Sequence, residues 1–170
     1  YLINATYATA FSTFSANRLF TPIGSNVTDA TFSVPGTGGS IPASVRGFGA
    51  VFTDVDLGDS STIAFFSIFD TPLGSFDVPA GTTADGSLSF LGVIFDAGER
   101  IGGVRITSGN TALGRTDDPG VGTDVAVMDD FLYAEQQRVA EPAPLALLLF
   151  GLMLIPLVTS RSRSCACKSW

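Results

Sequence analysis

Short runs of alternating, β-branched or aromatic residues recur through the first 133 positions of the chain. They occupy residues 29–34, 47–57, 61–69, 73–78, 87–95, 99–107 and 123–133. Turn sequences such as Asp85-Gly86 and Asp118-Pro119-Gly120 separate the runs. Their starts lie about 10 to 15 residues apart, and no amphipathic helix pattern stands between them. This pattern predicts an all-β fold, an antiparallel jelly-roll-like β-sandwich.

The pattern changes at residue 142, where an uncharged apolar run begins. Residues 142–160 read PAPLALLLFGLMLIPLVTS, and at about 1.5 Å per residue a helix of this length approaches the thickness of a bilayer core. Arg161 and Arg163 follow directly, which is typical of a cytoplasmic helix end. A buried core helix is the alternative, but residues 145–150 leave it no polar face. The run therefore predicts a single transmembrane helix.

Together these patterns divide the chain into four parts. We expect an outer β-sandwich domain at 1–133, a polar linker at 134–141, a transmembrane sorting helix at 142–160 and a basic cytoplasmic tail at 161–170. The chain starts with Tyr1, and its first 20 residues show no basic segment followed by an apolar one. The outer domain is therefore expected to be incomplete at its N-terminus.

Composition narrows the chemistry that the chain can perform. It contains no histidine, which excludes Ser-His-Asp and Cys-His nucleophilic sites and histidine-ligated zinc. Its 16 acidic and nine basic residues give a net charge of −7, which disfavours a nucleic-acid partner. Both cysteines, Cys165 and Cys167, follow the apolar run, so the outer domain is expected to fold without disulfides.

The C-terminal residues resemble a known sorting signal. Residues 140–144 read AEPAP, a leucine-rich run with Gly151 inside it comes next, and Arg161 and Arg163 follow. This order is similar to the PEP-CTERM tail of bacterial exosortase substrates, in which a Pro-Glu-Pro signature precedes one membrane helix and a short basic end. Upstream segments such as SVRGFGAVFTDVDL (44–57) look like the β-rich outer domains of these proteins, so the resemblance covers about residues 45–170.

This resemblance implies export and sorting. Glu141 and Pro142 match the signature, whereas Ala140 stands where the family has proline. An exosortase-type membrane peptidase would cut near the signature and release the domain, or transfer it, to the cell surface. The implied partners are the membrane, that peptidase and exopolysaccharide. The implied location is an inner-membrane anchor first, and the cell surface or extracellular matrix after processing.

Four aspartates are candidate ligands of a metal ion. Asp54 and Asp56 are two apart on a predicted strand, so their side chains share one face. Asp129 and Asp130 lie in VMDDF, which resembles the last strand of jelly-roll modules that hold calcium between their sheets. These carboxylates and loop carbonyls could supply the six to eight or so oxygens that Ca²⁺ takes. Alternatively, Asp129 or Asp130 pairs with Arg105 or caps loop amides, with no metal.

The sequence therefore predicts a non-catalytic exported protein of the cell surface or extracellular matrix, with no required cofactor. Two alternatives stay open. One is a secreted, carboxylate-based glycan-active enzyme, since 16 acidic residues make a pair at glycosidase spacing inevitable. The other is a calcium-dependent adhesion module.

Overall fold

Antiparallel β-strands dominate the fold. The computed structural model describes residues 4–15 and 18–139. A four-residue helix, α1 (Tyr7–Ala10), comes first, and a 3-10 turn at Pro119–Val121 precedes the last long strand. The strands in these residues are β1 (Val27–Thr31), β2 (Ala43–Ser44), β3 (Gly47–Thr53), β4 (Thr62–Ser67), β5 (Pro72–Asp77), β6 (Leu88–Ile94), β7 (Ile101–Thr107), β8 (Val127–Tyr133) and β9 (Gln137–Arg138).

The strands form two larger sheets and one short pair. One sheet has the order β1-β7-β4-β5, the second has the order β6-β3-β8, and β2 pairs with β9. All of these pairings are antiparallel. The central strands β3, β4 and β7 are joined to neighbours on both sides, and β3 is buried along its whole length.

One hydrophobic core contains residues of both larger sheets. Phe52 of β3 and Met128 of β8 come from one sheet, and Phe65 of β4 and Ile106 of β7 come from the other. All four side chains are completely buried. Burial of this apolar surface is the main stabilising contribution that the described residues provide, because no cysteine lies among them to form a disulfide.

The predicted fold class, a jelly-roll-like sandwich followed by a transmembrane helix, is wrong as stated. The structure shows mostly β-strands in antiparallel sheets. Within residues 4–15 and 18–139, no helix is long and apolar enough to cross a membrane. The reason is physical: α1 has four residues, whereas a spanning helix needs about 20. Residues 142–160, where that helix was predicted, lie outside the described residues, so the structure does not support it.

Each of the seven predicted β runs overlaps one strand, but β1 and β5 begin before their runs and two other runs are shortened. The run at 47–57 stops being a strand after Thr53 because Asp54 adopts a left-handed backbone conformation with φ of +67°. The run at 123–133 becomes a strand only at Val127. The short pair β2–β9 was not predicted, and β9 falls in the expected linker. Asp54, Asp56 and Asp124 belong to the parts of these two runs that are not strands, so they lie in loops.

Candidate functional site

Four aspartates gather where the chain leaves β3 and where it approaches β8. Asp54 and Asp56 follow β3, whereas Asp117 and Asp124 flank the 3-10 turn. The charges of Asp117 and Asp56 act on Asp54, and those of Asp117 and Asp124 act on Asp56. We call Asp54, Asp56, Asp117 and Asp124 the acidic loop cluster. Among the described residues, no basic side chain forms an ion pair with any of them.

Asp54 is the most perturbed acid of this cluster. Its side chain is 1% exposed, and its Oδ1 accepts a hydrogen bond of 3.2 Å from the amide of Gly86. Burial, followed by the charges of Asp117 and Asp56, raises the pKa of Asp54 to about 7. Near neutral pH a large fraction of this side chain is therefore the uncharged acid, and its burial leaves it out of reach of a large substrate.

Asp56 and Asp117 interact directly. Burial, followed by the charges of Asp117 and Asp124, raises the pKa of Asp56 to about 6. In its protonated form Asp56 donates a hydrogen bond to the Asp117 carboxylate. Burial also raises the pKa of Asp117, while the amide of Val125 donates to its Oδ1 at 2.7 Å and opposes that rise. The two carboxyl groups thus tend to share a proton.

Asp124 joins the two loops of the cluster. It is completely buried, and its Oδ2 accepts hydrogen bonds from the amides of Asp56 (3.2 Å) and Leu57 (3.0 Å) and from the Ser60 hydroxyl. Its own amide donates to Asn110 Oδ1 at 3.1 Å. The side chain therefore ties the segment after β3 to the segment before β8.

Several carboxylate oxygens of the cluster are buried without a donor. Asp54 Oδ2, Asp56 Oδ1 and Asp124 Oδ1 accept no hydrogen bond from an N–H or hydroxyl group of the described residues. A buried carboxylate oxygen without a donor costs free energy unless a proton or a cation compensates it. Protonation of Asp54 and Asp56, whose pKa values are raised to about 7 and about 6, is one such compensation.

The other two candidate ligands lie elsewhere and bind the N-terminal segment. Asp129 Oδ2 accepts hydrogen bonds from the amides of Phe14 (2.5 Å) and Ser15 (3.2 Å), while Asp130 Oδ1 accepts one from the Ser15 hydroxyl at 2.8 Å. Arg105 pairs with Asp29 instead, at 2.7 Å. Asp129 therefore caps loop amides, which was one of the two alternatives without a metal, and it does not pair with Arg105. Asp54 and Asp56 lie together in the cluster, but Asp129 and Asp130 are not part of it.

Sequence reasoning missed Asp117 and Asp124. The hydrogen-bond donors to Asp124 are distant along the chain, since Asp56 and Ser60 lie 68 and 64 residues before it. The available indication was the turn sequence Asp117-Asp118-Pro119-Gly120, which was interpreted only as turn chemistry. In residues 4–15 and 18–139, no group of three or more acidic side chains is arranged as a ready metal site. Glu141, Pro142, Arg161 and Arg163 lie outside these residues.

An apolar groove occupies the outer face of the β6-β3-β8 sheet. Its volume is about 320 Å³, and Phe90, Ile94 and Leu132 are among its lining side chains, each more than half exposed. Gly49 and Gly92 face each other across β3 and β6, and a Cβ at Gly92 would lie 2.7 Å from the ring of Phe90. The two glycines thus leave room for that ring to lie over the sheet.

Comparison with known proteins gives no relative. No protein-family model matches the chain, and no curated protein or solved structure shows significant similarity to it.

Asp129→Ala tests the role of Asp129 as a cap. We expect it to lower the free energy of unfolding by about 1 to 3 kcal/mol, because the amides of Phe14 and Ser15 lose their acceptor. Limited proteolysis should cut near residues 11–15 faster than in the native protein. Asp59→Ala, a change at an exposed acid, is the control and should alter neither quantity. Unchanged proteolysis in Asp129→Ala would contradict the capping role.

The acidic loop cluster also predicts how stability depends on pH. The pKa values of Asp54 and Asp56 are raised in the folded protein, from 3.8 to about 7 and about 6. The folded state therefore binds these protons more tightly than the unfolded state does. The resulting stability is fully present below about pH 4 and is lost as pH rises through 6 and 7.

In buffer without divalent cations, the urea midpoint should therefore fall between pH 5 and pH 8. Asp54→Asn should flatten this dependence, since an amide mimics the protonated acid. Asp59→Asn, which removes an exposed charge from the same segment, should keep it. A native midpoint that rises with pH over this range would contradict the prediction.

Proposed function

We propose that this chain is a non-catalytic, exported protein of the cell surface or extracellular matrix, where it associates with exopolysaccharide. It is sorted through a C-terminal signal similar to that of exosortase substrates. The proposal that the protein is non-catalytic rests on the structural role of its buried acids. Asp124 and Asp129 hold backbone amides of loops, which is a structural role for carboxylates.

The burial of the acids also argues against a glycan-active enzyme. A glycosidase places two carboxyl groups on either side of an accessible glycosidic bond, whereas Asp54 is 1% exposed and Asp124 is completely buried. The absence of histidine from the whole sequence removes the commonest general base as well.

Support for sorting comes from the C-terminal sequence alone. Glu141 and Pro142 form the signature, and Arg161 and Arg163 form the basic end. In this proposal, an exosortase-type peptidase recognises the signature and delivers the domain to the cell surface or matrix.

Processing of the full chain tests the sorting proposal. In a host that carries an exosortase-type peptidase, we expect the native chain to be shortened and to appear outside the cell. Glu141→Ala should stay unprocessed, whereas Glu135→Ala, which removes an exposed acid upstream of the signature, should be processed normally. Equal processing of both variants would contradict the proposal.

A polysaccharide-release assay tests the non-catalytic part. We expect the purified full chain to release no more soluble sugar than buffer does. Release that is lost in Asp54→Asn or Asp129→Asn would overturn the proposal in favour of the carboxylate enzyme.

A further inference from the structure

We propose that the open edge of β6 binds a second copy of this chain. In this arrangement the two β6 strands pair antiparallel across a two-fold axis at Leu91, and the two β6-β3-β8 sheets become one continuous sheet. The inference goes beyond the proposed function and does not depend on export or sorting.

β6 is the least protected edge strand of the two larger sheets. Their edge strands are β1, β5, β6 and β8. Proteins prevent unwanted pairing at such edges with charged residues, prolines, bulges or a covering segment. β6 reads LSFLGVI, so it contains no charged residue and no proline. Its pairing with β3 continues over its whole length without a register shift, and no other strand of the described residues pairs with it.

Each of the other three edges carries at least one of these protective features. β1 contains the charged Asp29. β5 begins with Pro72, and its pairing with β4 contains a register shift. The pairing of β8 with β3 also shifts register, and Phe20 covers part of the outer edge of β8 by exchanging two backbone hydrogen bonds with Met128. This contrast singles out β6 as the edge that is available for strand pairing.

Hydrogen bonds at the two ends of the β3–β6 pairing show which backbone groups of β6 point outward. The amide of Asp54 donates to the Ser87 carbonyl at 2.8 Å, and the amide of Phe95 donates to the Arg46 carbonyl at 2.8 Å. Hydrogen-bonded pairs alternate along an antiparallel ladder, so every second residue of 87–95 bonds to β3. The residues between them direct their N–H and C=O groups to the open edge. These residues are Leu88, Phe90, Gly92 and Ile94.

A two-fold axis at Leu91 pairs all four of these residues with the second copy. Phe90 then lies opposite Gly92 of the second copy, and Leu88 lies opposite its Ile94, both as hydrogen-bonded pairs. The glycine adds no side chain that would collide with the Phe90 ring, while Leu88 and Ile94 form an apolar cross-strand pair. An axis one residue away in either direction would leave Leu88 or Ile94 without a facing residue in β6.

The exposed apolar area indicates how strong this dimer should be. Leu88, Phe90 and Ile94 are 44%, 54% and 74% exposed, which leaves on the order of 300 Å² of apolar side-chain surface per chain. A stable interface buries about 800 Å² per partner. The apolar groove on this sheet, which Phe90 and Ile94 help to line, continues towards the axis and adds to the contact. We therefore expect a weak dimer, with a Kd of about 10 to 100 μM.

Disulfide formation by the full chain tests the register. Leu91→Cys is placed in a chain whose two native cysteines are replaced, by Cys165→Ser and Cys167→Ser. At the axis, the two Cα atoms of residue 91 should lie about 4.5 Å apart, which a disulfide can bridge. Oxidation at about 100 μM chain, around or above the expected Kd, should therefore give cross-linked dimers on a non-reducing gel.

Ser89→Cys in the same background is the register control. Its two copies would lie on opposite sides of the axis, roughly 13 Å apart along the strands, so it should cross-link at least tenfold more slowly than Leu91→Cys. Equal rates for the two variants would overturn the proposal, because the contact would then have no defined register.

A second variant avoids the partly buried Leu91, which packs against the core. Leu88→Cys combined with Ile94→Cys changes two exposed positions. These positions are about 20 Å apart in one chain, so only two chains together can form the disulfide. We expect this variant to cross-link as well. If neither it nor Leu91→Cys cross-links, the proposal is overturned.

Phe90→Lys gives β6 the kind of charge that protects other edges. In the Leu91→Cys background it should slow cross-linking at least tenfold, because the two introduced charges would lie close to the axis and repel each other. Phe69→Lys adds the same charge at an exposed phenylalanine in the turn after β4 and should leave the rate unchanged. An unchanged rate in Phe90→Lys, or equal slowing in both variants, would overturn the proposal.

Discussion

Phe65→Ala should lower the free energy of unfolding by about 3 to 5 kcal/mol. Phe65 lies at the middle of β4, is completely buried, and belongs to the core that contains residues of both larger sheets. Its ring centroid is 5.6 Å from that of Phe95 and 5.9 Å from that of Phe76, both in edge-on arrangements. Truncation removes these contacts and leaves a cavity that neighbouring strands, fixed by their hydrogen bonds, can fill only in part.

Urea denaturation followed by circular dichroism measures this loss. Phe69→Ala is the matched control, because Phe69 lies in the turn after β4 and is 82% exposed. It should change the free energy of unfolding by less than about 0.5 kcal/mol. Similar losses in the two variants would show that exposure in the structure does not report which phenylalanine supports the core.

The contrast between Phe65 and Phe69 also shows where sequence patterns stop being informative. Both residues belong to one predicted run, 61–69. The strand ends at Ser67, and the turn that follows it leaves Phe69 exposed to solvent. In β6 the outward positions are Leu88, Phe90 and Ile94, so both faces of that strand are apolar. Alternation of polar and apolar residues cannot identify the buried face there.

The strands themselves were predictable because their causes are local. Alternation, β-branched residues and turn sequences act over a few residues, so each run overlaps one strand. The acidic loop cluster was not predictable in this way, because its contacts depend on how the strands pair. Asp54 binds the amide of Gly86, 32 residues away, and Asp124 binds the amide of Asp56, 68 residues away. Spacing along the chain carries no trace of such contacts.

One ion pair shows the same dependence on register. Arg105 was considered as a partner for Asp129 or Asp130, but it lies directly opposite Asp29 in the pairing of β7 with β1. Opposite charges at directly facing positions of antiparallel strands interact favourably. Both side chains are more than half exposed, so this pair helps to define register more than it stabilises the fold.

Gly109→Ala should be the second strongly destabilising change, with an expected loss of about 2 to 5 kcal/mol. Gly109 has φ of +67°, a conformation that alanine adopts only with strain. A Cβ here would also lie 2.8 Å from the amide nitrogen of Ala126 and even closer to the carbonyl oxygen of Asp124. Both obstacles are backbone atoms, so no flexible side chain can move aside.

The backbone around Gly109 has little freedom to relieve this clash. Its amide donates to Ser61 Oγ at 2.8 Å, and its carbonyl accepts from Asn26 Nδ2 at 2.8 Å. The next amide, that of Asn110, donates to the Asp124 carbonyl at 3.0 Å. Relief of the clash would therefore break hydrogen bonds to three different segments, and each break in a buried site adds its own cost.

Gly122→Ala separates the strain of the backbone from the close approach. Gly122 also has a positive φ, +79°, but a Cβ there would meet no heavy atom within 4 Å. It should lose only about 1 kcal/mol, the cost of the left-handed conformation. Urea denaturation of the two variants beside the native chain measures the difference. If both lost the same amount, backbone conformation alone would account for Gly109, and the packing of this segment against residues 124–126 would be looser than the structure indicates.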